Sequence, residues 1–95
     1  MSNTSTYAAK NFEKIIRTKS YNTMEIHMCH AKSGREFLSA RYDPDKVFCY
    51  DNVVDISGEN IMECIIPYDP NDITYYEETN SYEFITEGVK YWFLL

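Results

Sequence analysis

The residues best suited to chemistry sit close together, in the stretch His27-Met28-Cys29-His30. A thiol flanked by imidazoles is the raw material of a metal site or of a nucleophile with its base. The surrounding sequence alternates with period two: Met24, Ile26, Met28 and His30 against Thr23, Glu25, His27 and Cys29. That is the pattern of a β-strand, on which side chains two apart share a face. His27 and Cys29 therefore point together and His30 points away. A tetrahedral zinc site would need Cys49 or Cys64 to return to this strand, and the chain has no Cys-x-x-Cys pair. A Cys–His nucleophile would need an orienting group and oxyanion donors, which no motif supplies. The plainer reading is a small buried thiol beside surface imidazoles, with no catalytic residue, metal or cofactor.

Carboxylates are the second candidate. From residue 47 onward there are ten acids (Asp51, Asp55, Glu59, Glu63, Asp69, Asp72, Glu77, Glu78, Glu83, Glu87) against the single base Lys90, a balance of −9. The first 46 residues hold eight bases and five acids, a balance of +3. Asp51/Asp55 and Glu83/Glu87, four apart on a strand, stand ~13 Å from one another, too far for an acid/base pair across a glycosidic bond. Asp69-Pro70-Asn71-Asp72 has part of a calcium loop and lacks its Gly and closing Glu.

Tyrosines thread this acidic half at Tyr50, Tyr68, Tyr75, Tyr76, Tyr82 and Tyr91. Carboxylates with aromatic anchors suit recognition of a basic protein surface. A strand rises ~3.3 Å per residue against ~3.4 Å per phosphate along one DNA strand, so a row of carboxylates could imitate a phosphate backbone.

The elements that must position these groups follow from periodicity. Ser5 or Thr6 is placed to cap a helix over Tyr7 to Lys19, after a tail from Met1 to Ser5. Ala8, Phe12, Ile15, Ile16 and Lys19 form its inward stripe, and Lys10, Lys14 and Arg17 its solvated face, with Glu13 paired to Arg17. The strand at Met24 to His30 and a second at Glu36 to Tyr42 form a hairpin around Ser33-Gly34. After the turn Asp43-Pro44-Asp45-Lys46, Val47 to Ile56 reads as one strand. Its core face is Phe48, Tyr50, Val54 and Ile56, with Asp51 and Asp55 opposite. Ser57-Gly58-Glu59-Asn60 turns into Ile61 to Tyr68, where Met62, Cys64 and Ile66 are in phase, Glu63 is opposite and Pro67 suggests an edge. A loop to Ser81 follows, with Ile73 to Tyr76 readable as strand or helical turn. Tyr82 to Glu87 is a strand, and Glu87-Gly88 turns into Val89 to Leu95. That segment is apolar on both sides, as in a sheet interior or at an interface.

These elements predict one α+β domain over residues 1–95: an N-terminal helix packed on a five- to six-stranded, mainly antiparallel sheet. No window approaches 18 apolar residues, and Met1 to Ser5 lacks the layout of a signal peptide. With three unpaired cysteines this reads as a cytoplasmic protein, or one of the host cytoplasm if phage-encoded. A pI near 4.7 argues against nucleic acid or anionic membrane as direct ligand.

If the third, fourth and fifth strands are neighbours, Asp51, Asp55, Glu63, Glu83 and Glu87 share one face, with Asp72, Glu77 and Glu78 at its rim. Tyr75, Tyr76 and Tyr82 would anchor a protein partner there. The function expected is a small non-enzymatic inhibitor that binds the basic groove of a nucleic-acid-handling enzyme or defence complex. By composition this resembles phage-encoded inhibitors and immunity proteins. Rival expectations are a self-associating module, dimeric through Tyr91 to Leu95, and a Cys29-dependent enzyme or metal protein.

Overall fold

The structure is a computed structural model. It describes the backbone of residues 4–58 and 61–95 and the side chains of residues 7–57 and 64–95. Among these are one α-helix, a single 3-10 turn at Pro44–Lys46 and eight strands. The helix, α1, spans Thr4–Thr18, so Thr4 and Ser5, expected in the tail, and Thr6, expected as a cap, are all helical. The strands are β1 (Met24–His30), β2 (Glu36–Tyr42), β3 (Val47–Tyr50), β4 (Val53–Gly58), β5 (Ile61–Pro67), β6 (Thr74–Tyr76), β7 (Ser81–Thr86) and β8 (Val89–Leu94). They form two antiparallel sheets, a larger one in the order β2-β1-β8-β7-β6 and a smaller one in the order β3-β4-β5. The fold is α+β. Among the described residues, no helix is long and apolar enough to cross a membrane.

Val47 to Ile56 corrects the sequence reading. It is two strands, not one, because Asp51 and Asn52 both take positive φ (48° and 57°) and form a two-residue hairpin turn. Such a turn sets Tyr50 opposite Val53, an odd separation, so the alternation changes phase across it. Val47 and Cys49 therefore share the buried face with Val54 and Ile56, while Phe48 and Tyr50, expected inside, are exposed.

One core fills the space between the sheets and the helix. Ala8, Ala9, Phe12 and Ile16 come from α1, Val47, Cys49, Val54, Ile56 and Ile66 from the smaller sheet, and Met24, Ile26, Tyr82, Phe84 and Phe93 from the larger. Phe12 is fully buried at the junction. Its ring centroid lies 5.1 Å from Phe93, 5.2 Å from Tyr82, 6.2 Å from Tyr68 and 6.3 Å from Phe84, in the tilted and edge-on geometries aromatic rings prefer.

The helix face expected to be solvated also ties the layers together. Glu13 accepts a hydrogen bond from the Tyr68 hydroxyl, and Arg17 Nε donates to the Cys49 carbonyl at 3.4 Å. Lys19 closes the helix in the left-handed region (φ 57°), with Ser20 N bonded to Ile15 O and Lys19 N to Ile16 O. This is a Schellman end, where glycine is usual. Lys19 holds the place because its Nζ donates to the carbonyls of Pro44 (2.7 Å) and Val47 (2.6 Å).

β8 is the middle strand of the larger sheet, paired along its length with β1 on one side and β7 on the other. Its backbone donors and acceptors are used within the sheet. Tyr91 and Phe93 belong to the core side, and the strand has no free edge for a second copy to pair with.

Candidate functional site

Cross-strand register fixes what stands on the face of the larger sheet turned away from the core. One row runs Arg41, Glu25, Leu94, Ser81, Tyr76; the next Ser39, His27, Trp92, Glu83, Thr74; the third Glu36, Cys29, Lys90, Ile85. Residues directly opposite in antiparallel strands are close enough for side-chain contact. The face therefore brings together the single tryptophan, a histidine, a free thiol and several charges from five strands.

Trp92 is its centre. The indole Nε1 donates to Ser81 Oγ at 2.8 Å, and the ring lies 5.4 Å from His27. Fixed on both sides, the indole has one orientation. The turn joining β6 to β7 brings Glu78 and Thr79 to one wall, and the turn joining β1 to β2 and the start of β2 bring Gly34 and Glu36 to the other. Together with Cys29, Tyr76, Glu83, Lys90 and Trp92 they line a cleft of about 440 Å³. That volume is within the range of about 300–1,000 Å³ usual for ligand sites.

The cleft is acidic. Glu36, Glu78 and Glu83 face one ammonium, Lys90, whose Nζ is 3.8 Å from Glu83 Oε1. Glu83 Oε2 accepts from the Tyr76 hydroxyl at 3.0 Å, and this bond, with partial burial, raises the phenol's pKa. His27 borders the cleft between two carboxylates: Nδ1 is 2.6 Å from Glu36 Oε1, and Nε2 bonds Glu25. Glu25 in turn accepts from Arg41 Nε at 3.1 Å. Burial disfavours the imidazolium, but the bonds to Glu36 and Glu25 outweigh it and raise the pKa of His27 above its ordinary value. Two carboxylate acceptors on one ring require both nitrogens to donate, which is the protonated form. An imidazole so engaged has no lone pair for a metal or for a thiol's proton. Cys29 lies on the same face, as its parity requires, so it is a half-buried thiol on the outward side of the sheet rather than the buried one expected. Among the described residues, no group of three or more His, Cys, Asp or Glu is arranged to hold a metal ion.

The acidic set read from the sequence is dispersed. β4 and β5 pair in the smaller sheet as expected, but β7 belongs to the larger, so the strand carrying Glu83 is not their neighbour. Asp51 is in the exposed hairpin turn rather than on a strand, and Glu87 in the turn before β8 at φ 53°. Asp55 is buried, at 7% exposure, and accepts from the Tyr50 hydroxyl at 2.7 Å. Tyr82, expected as an anchor, is buried against Phe12 at 3% exposure. Tyr75 is exposed on the other side of the larger sheet, its ring tilted against that of Tyr82 with centroids 4.8 Å apart. Asp72 is in an exposed turn, its amide bonded to the Asp69 carbonyl. Glu77 is exposed in the turn before β7. The side chain of Glu63 lies outside the described residues, as do Glu59 and Asn60 of the expected turn. Of the expected set, Tyr76, Glu78 and Glu83 meet in the cleft.

The residues that complete the cleft, Trp92, Glu36, Lys90 and Cys29, escaped the sequence reading as a group. Parity puts Lys90 beside Trp92 and His27 beside Cys29. The pairing of β1 with β8, which joins Glu25 to Leu94, has no local signal. Scanning the chain against protein-family models, and searching curated proteins and solved structures, returned no match.

Proposed function

We propose that the protein is a non-enzymatic binding protein of the inhibitor or antagonist kind, which takes a basic segment of a protein partner into the Trp92 cleft. The carrying observation is the cleft lining: an oriented indole and a phenol among Glu36, Glu78 and Glu83, with one lysine in opposition. A Lys or Arg side chain is stabilised there twice, by carboxylates and by the face of an aromatic ring, of which Trp is the strongest. The formal charge of −6 steers such a partner to the surface and speeds encounter.

Nucleic-acid-handling proteins expose basic segments of this kind. Antagonism of such an enzyme or of a defence complex is the setting this chemistry fits. Imitation of a phosphate row does not recommend it, since the described carboxylates are split between two sheets and several turns. Recognition rests on one pocket rather than on a charged stripe.

Titration with a Lys/Arg-rich peptide tests this reading. Affinity falls steeply as salt rises and is lost in Glu78→Lys, a change confined to an exposed turn residue. Binding that ignores both salt and this substitution would contradict it.

A further inference from the structure

The outward face of the smaller sheet has a different chemistry. Phe48, Asp55 and Ile65 are opposite one another across β3, β4 and β5, and Tyr50, Val53 and Pro67 form the next row. Phe48, Tyr50 and Ile65 are 44%, 45% and 53% exposed, unusual for three large apolar side chains standing together. Amid them Asp55 is 7% exposed. Its Oδ2 accepts from the Tyr50 hydroxyl, while its Oδ1 is buried with no hydrogen-bond partner among the described residues. Buried carboxylate oxygens are almost always satisfied, because stripping water from a charge is costly unless another donor replaces it. The nearby ammonium of Lys19 does not serve. It stands 4.4 Å over the Phe48 ring and donates to the carbonyls of Pro44 and Val47.

We propose that this face is a second docking surface, specific for a protein partner that presents an arginine from an apolar segment. The missing component is a donor, and a charged one, since the group left unsatisfied is a carboxylate. Arginine fits better than lysine. Its planar guanidinium stacks on rings such as Phe48 and Tyr50 while its fork of N–H groups reaches a carboxylate, and it is more weakly hydrated than an ammonium. The surrounding Val53, Ile65 and Pro67 call for apolar residues beside that arginine. Phe48 and Ile65 flank Asp55 across the strands, both half-exposed, and since Oδ1 is buried the docking requires one of them to swing aside. This surface shares no residue with the Trp92 cleft and stands independently of it.

The test is a nuclear magnetic resonance titration of the full chain with Ac-Leu-Arg-Leu-NH2, and with the same peptide carrying lysine or the neutral isostere citrulline. The arginine peptide is expected to shift the amides of Phe48, Tyr50, Asp55 and Ile65, and to bind at least tenfold more tightly than the other two. Asp55→Asn keeps an acceptor for Tyr50 and is expected to lose that preference at least tenfold, with unchanged thermal stability or a gain. Ile65→Ser, at an exposed position, is expected to weaken all three peptides. Three results would overturn the proposal. They are shifts absent from this face, equal affinity for arginine and citrulline, or sedimentation showing that a second copy of the chain covers the face. Retention of arginine binding in Glu78→Lys separates the outcome from that of the cleft.

Discussion

His27 shows how single side chains set the chemistry of the cleft. Its two ring nitrogens are held by Glu25 and Glu36, so the folded chain binds a proton more tightly there than the unfolded chain, whose histidine titrates near about 6.5. A folded pKa above the unfolded one contributes stability that is fully present below about 6.5 and is lost as pH rises through the folded value. Titration of His27 by nuclear magnetic resonance is expected to give a pKa above about 6.5, and Glu36→Gln is expected to lower it; a value below that reference would break the assignment. Cys49 is the contrasting thiol: burial raises its pKa despite a contact with the Tyr68 hydroxyl at 3.3 Å, so it stays protonated and inert.

At the scale of elements, alternation and turn chemistry were legible, and phase across a hidden turn was not. β1 and β2 follow the alternation of Met24 to His30 and Glu36 to Tyr42, and Glu87-Gly88 makes the tight turn its residue types imply. Asp51-Asn52 carries a weaker signal because it lacks glycine, and the apolar alternation runs on through it. Missing that turn reversed the reading of Phe48 and Tyr50 and concealed the apolar face around Asp55. Both turn residues have positive φ, which asparagine tolerates and β-branched residues do not. Asn52→Val is expected to lower unfolding stability by about 1–2 kcal/mol, measured by urea denaturation, while Asn52→Gly is expected to be neutral or stabilising. A tolerated valine would contradict the turn assignment. The exit of α1 depends on long-range contact in the same way, since nothing local to Lys19 announces the carbonyls of Pro44 and Val47 that hold it.

For the whole molecule, the layout of one helix against antiparallel strands could be read from periodicity, while the division into two sheets could not. Sheet membership is decided by pairings such as Glu25 with Leu94, which join the two ends of the sequence. Phe12 makes the helix and the two sheets one cooperative unit. Phe12→Ala is expected to cost about 3–5 kcal/mol in denaturant unfolding, a large part of the stability of a domain this small. A loss under about 1 kcal/mol would show that the junction is not the core. The same arrangement carries Trp92 onto a face of its own, remote from that core and beside Glu36, Glu78 and Glu83.

Because Trp92 is the only tryptophan, its fluorescence reports on the cleft without a label. The most direct measurement is a fluorescence titration with a Lys/Arg-rich peptide at low and high salt, on the native chain and on Glu78→Lys. Recognition of a basic segment in the cleft predicts a saturable change in emission, an affinity that drops as salt screens the carboxylates, and no response in the variant. Emission unmoved by the peptide, or an affinity indifferent to salt and to Glu78→Lys, would contradict it.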